Sequence, residues 1–571
     1  MTIIELIRHL LPGGTDAFAV NAADSTEGSS PDYGACPTWP VDLFAVVATI
    51  VDCTGAYTLA SPDRNNLKAH QQVLLMVEEC ASEWNTNVSE VPYFVKELWK
   101  AIAIGLGDFE ITAIRESPFI VELLLLLFAI ADETCIGMGW DVDPVEAPKR
   151  LFASLTFTAL TGENAQVRLP HAPTSLCVMV PPDRAVVLPK SITSSVGCTI
   201  RSLSHYLALL PPSSVLQPSW ILSSRKAPEP ESAAATAGDD IRLLLVPFPF
   251  TIHASSFKLT SARQKMGDNH VPAYFGIDQR WLTHEEKALS GQALAAGLIL
   301  PLIEQCRRET GHVPTGVVLP ECALTSQVAG DLVKALAKTG IEFLITGVLD
   351  YEDGKYFNRA LTCAIQTDGT VAIKEQNKHH RWRLDRSQTD RYGLRFDEDP
   401  DNNQWWEDID VSQRRLPFFA MRKDMSLATL ICEDLARTDP AMTAIRAVGP
   451  NLVVALLMDG PQLAVRWPGR YATVLAEDPG AAVLSFTCAA MVDRSNWLEA
   501  KPARSIGLWR DGAGRTQEIG LPAGTQGVVL TLQSKSKHQN TLDNRSDHSL
   551  SRQLTLRTVV PLCLASPPKW L

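Results

Sequence analysis

The spacing of apolar residues changes character along the 571-residue chain. Near the N-terminus they recur at helical intervals. Residues 2–11 read as a short helix, and Pro40-Val41-Asp42-Leu43-Phe44 opens a second that runs to Gly55, with Asp42 near its positive end. Segments 67–84, 91–105 and 119–136 read as three more. A loop rich in Gly, Asp and Ser occupies 13–38. Trp39, Tyr57, Trp84 and Trp99 fit this pattern as core anchors. The most apolar run, 119–131, carries Glu122 and is too short to cross a bilayer; it suits a buried helix.

From about residue 150 the pattern turns strand-like. Segments 175–180 and 184–188 flank Pro181-Pro182-Asp183 and predict a β-hairpin with a Pro-led turn, followed by a helix at 200–210. Residues 223–240 are poor in apolar bulk and rich in Pro, Ala and acids, which predicts a domain linker. The chain then divides into a helix-rich accessory domain (1–235), an α/β domain (241–533) and a tail (534–571).

Beyond the linker, strands and helices alternate. Strands are expected at 241–252, 315–321, 342–348, 360–366, 371–374, 426–431, 452–457 and 481–487. Helices are expected at 283–309 (capped by Thr283), 326–338 (stopped at Gly340), 439–448 and 467–477, and a hairpin at 505–532. This succession predicts a layered α/β domain with helices covering a mixed sheet. The tail begins polar and ends apolar, and is expected to dock on a neighbour such as another subunit.

Composition narrows the function classes. A hydrophobic content of 46% and a charged content of 20% are those of a globular chain, too long for one core. The net charge of −12 argues against nucleic acid as a partner of this chain alone. Its 12 cysteines form no CxxC pair and no His/Cys metal spacing. No secretory n-region and cleavage site precedes them, so they are expected to be reduced thiols in a cytoplasm, with no metal and no cofactor.

One stretch carries candidate chemistry. Residues 426–435 read as a buried strand ending in Cys432, Glu433 and Asp434, where open α/β sheets place ligand-binding groups. A thiol of ordinary pKa, about 8.5, needs a base or a depressed pKa to attack carbon at neutral pH. Glu321, after a strand and Pro320, is a candidate base. Lys378, within Glu375-Gln376-Asn377-Lys378-His379-His380, is a candidate oxyanion stabiliser, with Lys374 as an alternative.

In this order, Glu in "LPE", Lys after an Asn-strand-hairpin unit (Asn358, then Asp368-Gly369, then Lys378) and Cys in "LICED" resemble the nitrilase superfamily of carbon–nitrogen hydrolases. The resemblance spans roughly 241–532. It implies a four-layer αββα sandwich, Glu321 as general base, Lys378 as oxyanion stabiliser, Cys432 as nucleophile and the backbone N–H of Glu433 as a second oxyanion donor. The "ICED" ending looks more like the amidase and glutaminase branches than true nitrilases. Many members carry a second glutamate several residues after the lysine, and here none follows closely. Asp385 or Gln388 could take its place, or Glu407 could fold back. The basic-aromatic segment 378–396 suggests a pocket or lid for an anionic or planar substrate, with Trp382, Trp405 and Trp406 either packed or stacking on substrate. Cys322 and Cys488 read as structural, and Asp434 with Arg437 as a helix-entry ion pair.

The resulting expectation is hydrolysis of a non-peptide carbon–nitrogen bond, amide rather than nitrile, through a thioester, with transfer to an amine if the second acid is missing. The rival is a catalytically silent scaffold or ligand sensor. Segments 448–463 and 470–486 also look similar to nitrilase-like domains of bacterial conflict systems, some joined to reverse transcriptases, although this chain has no YxDD motif. Family resemblance implies a homodimer or larger assembly, and the conflict-system likeness a separate partner protein.

Overall fold

Strand Ile241–Leu245 builds two cores at once, because successive side chains point to opposite faces. Leu243 and Leu245 enter one apolar cluster and Leu244 another; Val318 against Val317 and Ile345 against Leu344 repeat the split. In the computed structural model these residues lie in a seven-stranded sheet. Its spatial order is Val371–Asn377, Lys355–Ile365, Phe343–Glu352, Gly316–Val318, Ile241–Leu245, Gly527–Lys537 and Ser551–Leu562. A second seven-stranded sheet runs Thr516–Gly520, Ser505–Arg510, Ala482–Thr487, Leu452–Leu457, Met425–Ile431, Arg414–Arg422 and Leu216–Leu222. The two sheets share the largest core, where Phe343 of one meets Phe419 of the other edge to face at 5.4 Å. Helices Leu300–Thr310 and Ser326–Leu336 bury their apolar residues on the other face of the first sheet. Ala441–Val448 and Trp467–Glu477 bury theirs in the cluster of the second. The mixed α/β architecture is the one expected.

The structure describes all residues except 16–30, 88–89, 139–174, 192, 194–196, 213–214, 224–239, 397–398, 400, 423–424 and 498–500. The expected linker at 223–240 therefore lies almost wholly outside the described residues. The N-terminal helices form as expected, at Ile3–Leu10, Pro40–Thr54, Leu67–Thr86, Tyr93–Lys100 and Pro118–Thr134. No helix among the described residues is long and apolar enough to cross a membrane.

Several expectations are corrected, each for a polar reason. The hairpin at 175–188 does not form, because the buried Asp42 carboxylate takes the N–H groups of Val178, Met179 and Val180 at 2.9–3.2 Å. Those donors are lost to any ladder. Val186–Pro189 pairs instead with Leu207–Leu210. The helix expected at 200–210 is only Ile200–Leu203, since the Asp132 carboxylate captures the N–H groups of His205, Tyr206 and Leu207. Strand 241–252 stops at Leu245, before Pro247 and Pro249, which have no N–H to give. The helix expected at 283–309 begins with Ser290, not Thr283, as its cap: Thr283–His284 turns back onto Lys287–Ala288. Leu216–Leu222, on the accessory side, pairs in parallel with the second sheet. The stretch 534–571, expected to dock on a neighbour, supplies the edge strand Ser551–Leu562 of the chain's own first sheet.

The loop between the last two strands ties the N-terminal helices to the sheets. Its Arg545, almost fully buried, donates to Asp132 at 2.9 Å, Glu133 at 2.7 Å and Asp543 at 2.9 Å. Burial opposes the charge on Asp132, but Arg545, His205 and the hydrogen bonds from the His205 N–H and the Ser204 hydroxyl together outweigh it and hold the carboxyl below its ordinary range. Arg545→Ala is expected to cost about 3–5 kcal/mol, because it leaves buried carboxylates unpaired. Asp132's part of that stability is present above its unfolded pKa and is lost as pH falls through the depressed folded value. Urea titration of wild type and variant at pH 7 and at a pH below the ordinary aspartate value of 3.8 checks both: the deficit shrinks at the lower pH.

Candidate active site

Glu321 follows strand Gly316–Val318 and Pro320, at the edge where the sheet opens. A Cβ on Gly347 of the adjoining strand would sit 2.5 Å from Glu321 Cα, so only glycine lets the two backbones approach this closely. Lys378 comes off the end of strand Val371–Asn377 with its N–H donated to Asn358 O at 2.8 Å. Its side chain is 0% exposed. Nζ donates to Glu321 Oε1 at 2.8 Å and to Glu407 Oε2 at 2.6 Å. Asn358 Nδ2 bridges the same pair, at 2.8 Å from Glu321 Oε1 and 2.9 Å from Glu407 Oε1.

Glu407 ends the short strand Gln404–Glu407 and is 29 residues beyond Lys378. Two contacts with Trp382 hold it: its N–H donates to Trp382 O at 2.8 Å, and its Oε2 accepts the Trp382 N–H at 2.9 Å. Glu407 thus reaches back to the Lys378 side chain. Asp385 and Gln388 are elsewhere, forming a reciprocal capping box for helix Arg386–Tyr392. The Trp382 ring packs against Phe275 at 5.8 Å and Tyr392 at 6.1 Å.

Cys432 directly follows strand Met425–Ile431 and starts the 3₁₀ turn Cys432–Ala436. Its φ of 45° lies in the left-handed region, a conformation costing about 1–3 kcal/mol that aims a side chain away from the strand's own faces. The thiol is buried, and burial followed by the charge of Glu321 pushes its pKa well up, with Lys378 acting in the opposite sense. Cys432 thus rests as a neutral thiol. Burial likewise raises Glu321, against the pull of Lys378. For Lys378 burial works against the charge, but Glu321, Glu407 and Cys432 outweigh it and lift the pKa well above the ordinary lysine value. Glu321 Oε2 is buried and has no hydrogen-bond partner among the described residues.

The same 3₁₀ turn anchors the lysine segment. The buried Asp434 carboxylate accepts the N–H groups of His379 and His380 at 3.0 Å and contacts His380 Nδ1 at 3.1 Å. Arg437 pairs with Glu433, not with Asp434. Glu433 contributes its backbone N–H to the first turn, where such groups have no partner within the helix. Sequence reasoning missed the roles of Asn358 and Asp434; a carboxylate two residues after the thiol was the signal for the second, and the place of Asn358 in the unit that leads to Lys378 was the signal for the first. Among the described residues no group of His, Cys, Asp and Glu is placed to hold a metal ion.

Neither a protein-family model nor a curated protein matches the sequence. Among solved structures the chain is similar to a CN-hydrolase superfamily protein of Xanthomonas campestris that carries an arsenic adduct in its active site. That match has 16% identity and a TM-score of 0.30, covering 51% of this chain and 90% of that one. It is also similar to Nit3 of Saccharomyces cerevisiae, a member of branch 10 of the nitrilase superfamily, at 16% identity and TM-score 0.28, covering 51% and 89%. A third is the glutamine-dependent NAD+ synthetase of Acinetobacter baumannii, at 14% identity and TM-score 0.28, covering 51% of this chain and 45% of that one.

Proposed function

We propose that this chain is a cysteine-nucleophile hydrolase of non-peptide carbon–nitrogen bonds, amides rather than nitriles, on a four-layer αββα scaffold built mainly from 241–533, with Leu216–Leu222 and Ser551–Leu562 completing its two sheets. The observation that carries the reading is a fully buried lysine ammonium held between two buried glutamates, with the buried Cys432 thiol at the end of a strand in the other sheet feeling the charges of both Glu321 and Lys378. A purely structural lysine in such a place would be costly, because taking three charges out of water is repaid only by good geometry.

In the proposed reaction Glu321 takes the Cys432 proton as sulfur attacks the amide carbon. The oxyanion is met by Lys378 Nζ and the Glu433 N–H. The C–N bond breaks as Glu321 returns the proton to the leaving amine. Water then gives a proton to Glu321 and adds to the thioester; the C–S bond breaks, the sulfur takes the proton back, and the carboxylic acid leaves. A thiol that stays protonated at rest requires this concerted removal rather than a stored thiolate. Glu407 keeps Lys378 charged and fixed, the task of the second acid that the lysine segment itself lacks. A homodimer or larger assembly belongs to the same reading on family resemblance alone.

The test is intact-mass spectrometry of the full chain after exposure to iodoacetamide and to an amide library, beside Cys432→Ala and Glu321→Gln. The expected result is an acyl adduct on Cys432, or alkylation of it, that depends on Glu321. If Cys432 reacts no faster than the other thiols and forms no adduct, the catalytic reading fails and the scaffold or sensor reading takes its place.

A further inference from the structure

A cavity of ≈ 480 Å³ is lined in part by the residues that follow Glu407, within the range of about 300–1,000 Å³ usual for small-molecule sites. Tyr351, Lys355 and Tyr356 of the hairpin joining Phe343–Glu352 to Lys355–Ile365 form one wall, and Arg381, Asp408 and Asp410 line the rest. The two tyrosine rings lie 4.7 Å apart, tilted by 54°. Lys355 and Asp410 neutralise each other at 2.9 Å, and the Ser412 hydroxyl, then Lys355, hold the Asp410 carboxyl down to about 2.

Arg381 and Asp408 are different. Arg381 Nη2 donates to Ile409 O at 2.8 Å, and its guanidinium lies 6.0 Å from the Tyr274 ring centre. Its Nε is buried without a partner, and no carboxylate comes within ion-pair distance among the described residues. Asp408 donates its N–H to Phe275 O at 2.8 Å, while its carboxylate has no hydrogen-bond or ion-pair partner among the described residues. One cation and one anion thus line the same cavity without neutralising each other. A half-buried charge with no counter-charge is unfavourable, and a ligand bearing both signs would relieve both.

We propose that this cavity binds a small zwitterion of the α-amino-acid class, with its carboxylate on Arg381, its ammonium on Asp408 and its side chain against Tyr351 and Tyr356. An occupant would be felt at the adjoining site. Arg381 precedes Trp382, whose N–H holds Glu407, and Asp408 follows Glu407. Tyr356 lies two residues before Asn358 on the same face of its strand. Binding itself does not depend on Cys432 being a nucleophile, so the test reads binding on both wild type and Cys432→Ala.

Calorimetric titration of the full chain with L-phenylalanine is compared with 2-phenylethylamine, which lacks the carboxylate, and 3-phenylpropionate, which lacks the ammonium. Saturable binding of L-phenylalanine is expected, with each truncated analogue at least about tenfold weaker. Arg381→Gln should erase the advantage over the amine, and Asp408→Asn the advantage over the acid. Arg381 also supports a backbone carbonyl, so Tyr351→Ala serves as a second probe: at 62% exposure its loss removes a wall without touching the core. It should weaken L-phenylalanine binding several-fold. The proposal is overturned if L-phenylalanine gives no saturable heat, if either analogue binds as well, or if Asp408→Asn and Tyr351→Ala both bind it as the wild type does.

Discussion

Lys378→Met is expected to reduce amide turnover by about 10³-fold or more, the scale of losing one preorganised oxyanion donor. The same change removes the shared partner of Glu321 and Glu407, whose carboxylates lie within 2.8 Å and 2.6 Å of Nζ. Two buried acids bridged only by Asn358 cannot both remain ionised, so the variant should lose about 3–5 kcal/mol at neutral pH. The deficit should shrink as pH falls, because protonating one carboxyl removes the repulsion. In the wild type the lysine contribution has the opposite window: with its folded pKa raised, it is complete below the ordinary value of 10.5 and is lost only as pH rises through the folded value. Denaturant titrations between pH 5 and pH 8, together with turnover of whichever amide acylates Cys432, check both halves. A variant that keeps its turnover removes Lys378 from the mechanism, whatever its stability.

Glu321→Gln is expected to lower turnover by about 10²–10⁴-fold, the usual worth of a positioned general base, while leaving the fold close to unchanged. The amide oxygen can still accept from Lys378 and Asn358, and the group lost is the oxygen with no partner of its own. The pH profile gives a sharper check. Glu321 must be ionised to act, and burial lifts its pKa above the ordinary 4.5, so kcat/KM should fall on the acid side at a pH above that value. Glu407 adds to that lift by like-charge repulsion. Glu407→Gln should therefore move the acid limb to lower pH even as it lowers the rate. An acid limb that stays where it was would mean that the limb belongs to another group.

Several elements were legible in the sequence because they depend on local patterns. The alternation in 241–245 and 452–457, the helical spacing of 40–54 and 467–477, and the abrupt end of the strand before Cys432 rest on periodicity and turn chemistry that neighbouring residues supply themselves. The places of Glu321, Lys378 and Cys432 just beyond the ends of strands were also readable.

Tertiary structure decided the rest, through polar groups that reach far along the chain. Asp42 dissolves a predicted hairpin 136 residues away by taking its N–H groups, and Asp132 shortens a predicted helix in the same way. Arg545 turns an expected tail into a clamp on helix Pro118–Thr134, and Leu216–Leu222 joins a sheet from the far side of the expected linker. The choice among Asp385, Gln388 and Glu407 could not be made from spacing. Asp385 and Gln388 satisfy each other locally at the start of a helix, which leaves only the distant Glu407 free to meet the lysine. Periodicity tells each segment which face to bury. The partner of a buried charge is settled only when the folded chain has shut water out, and that partner can lie anywhere in it.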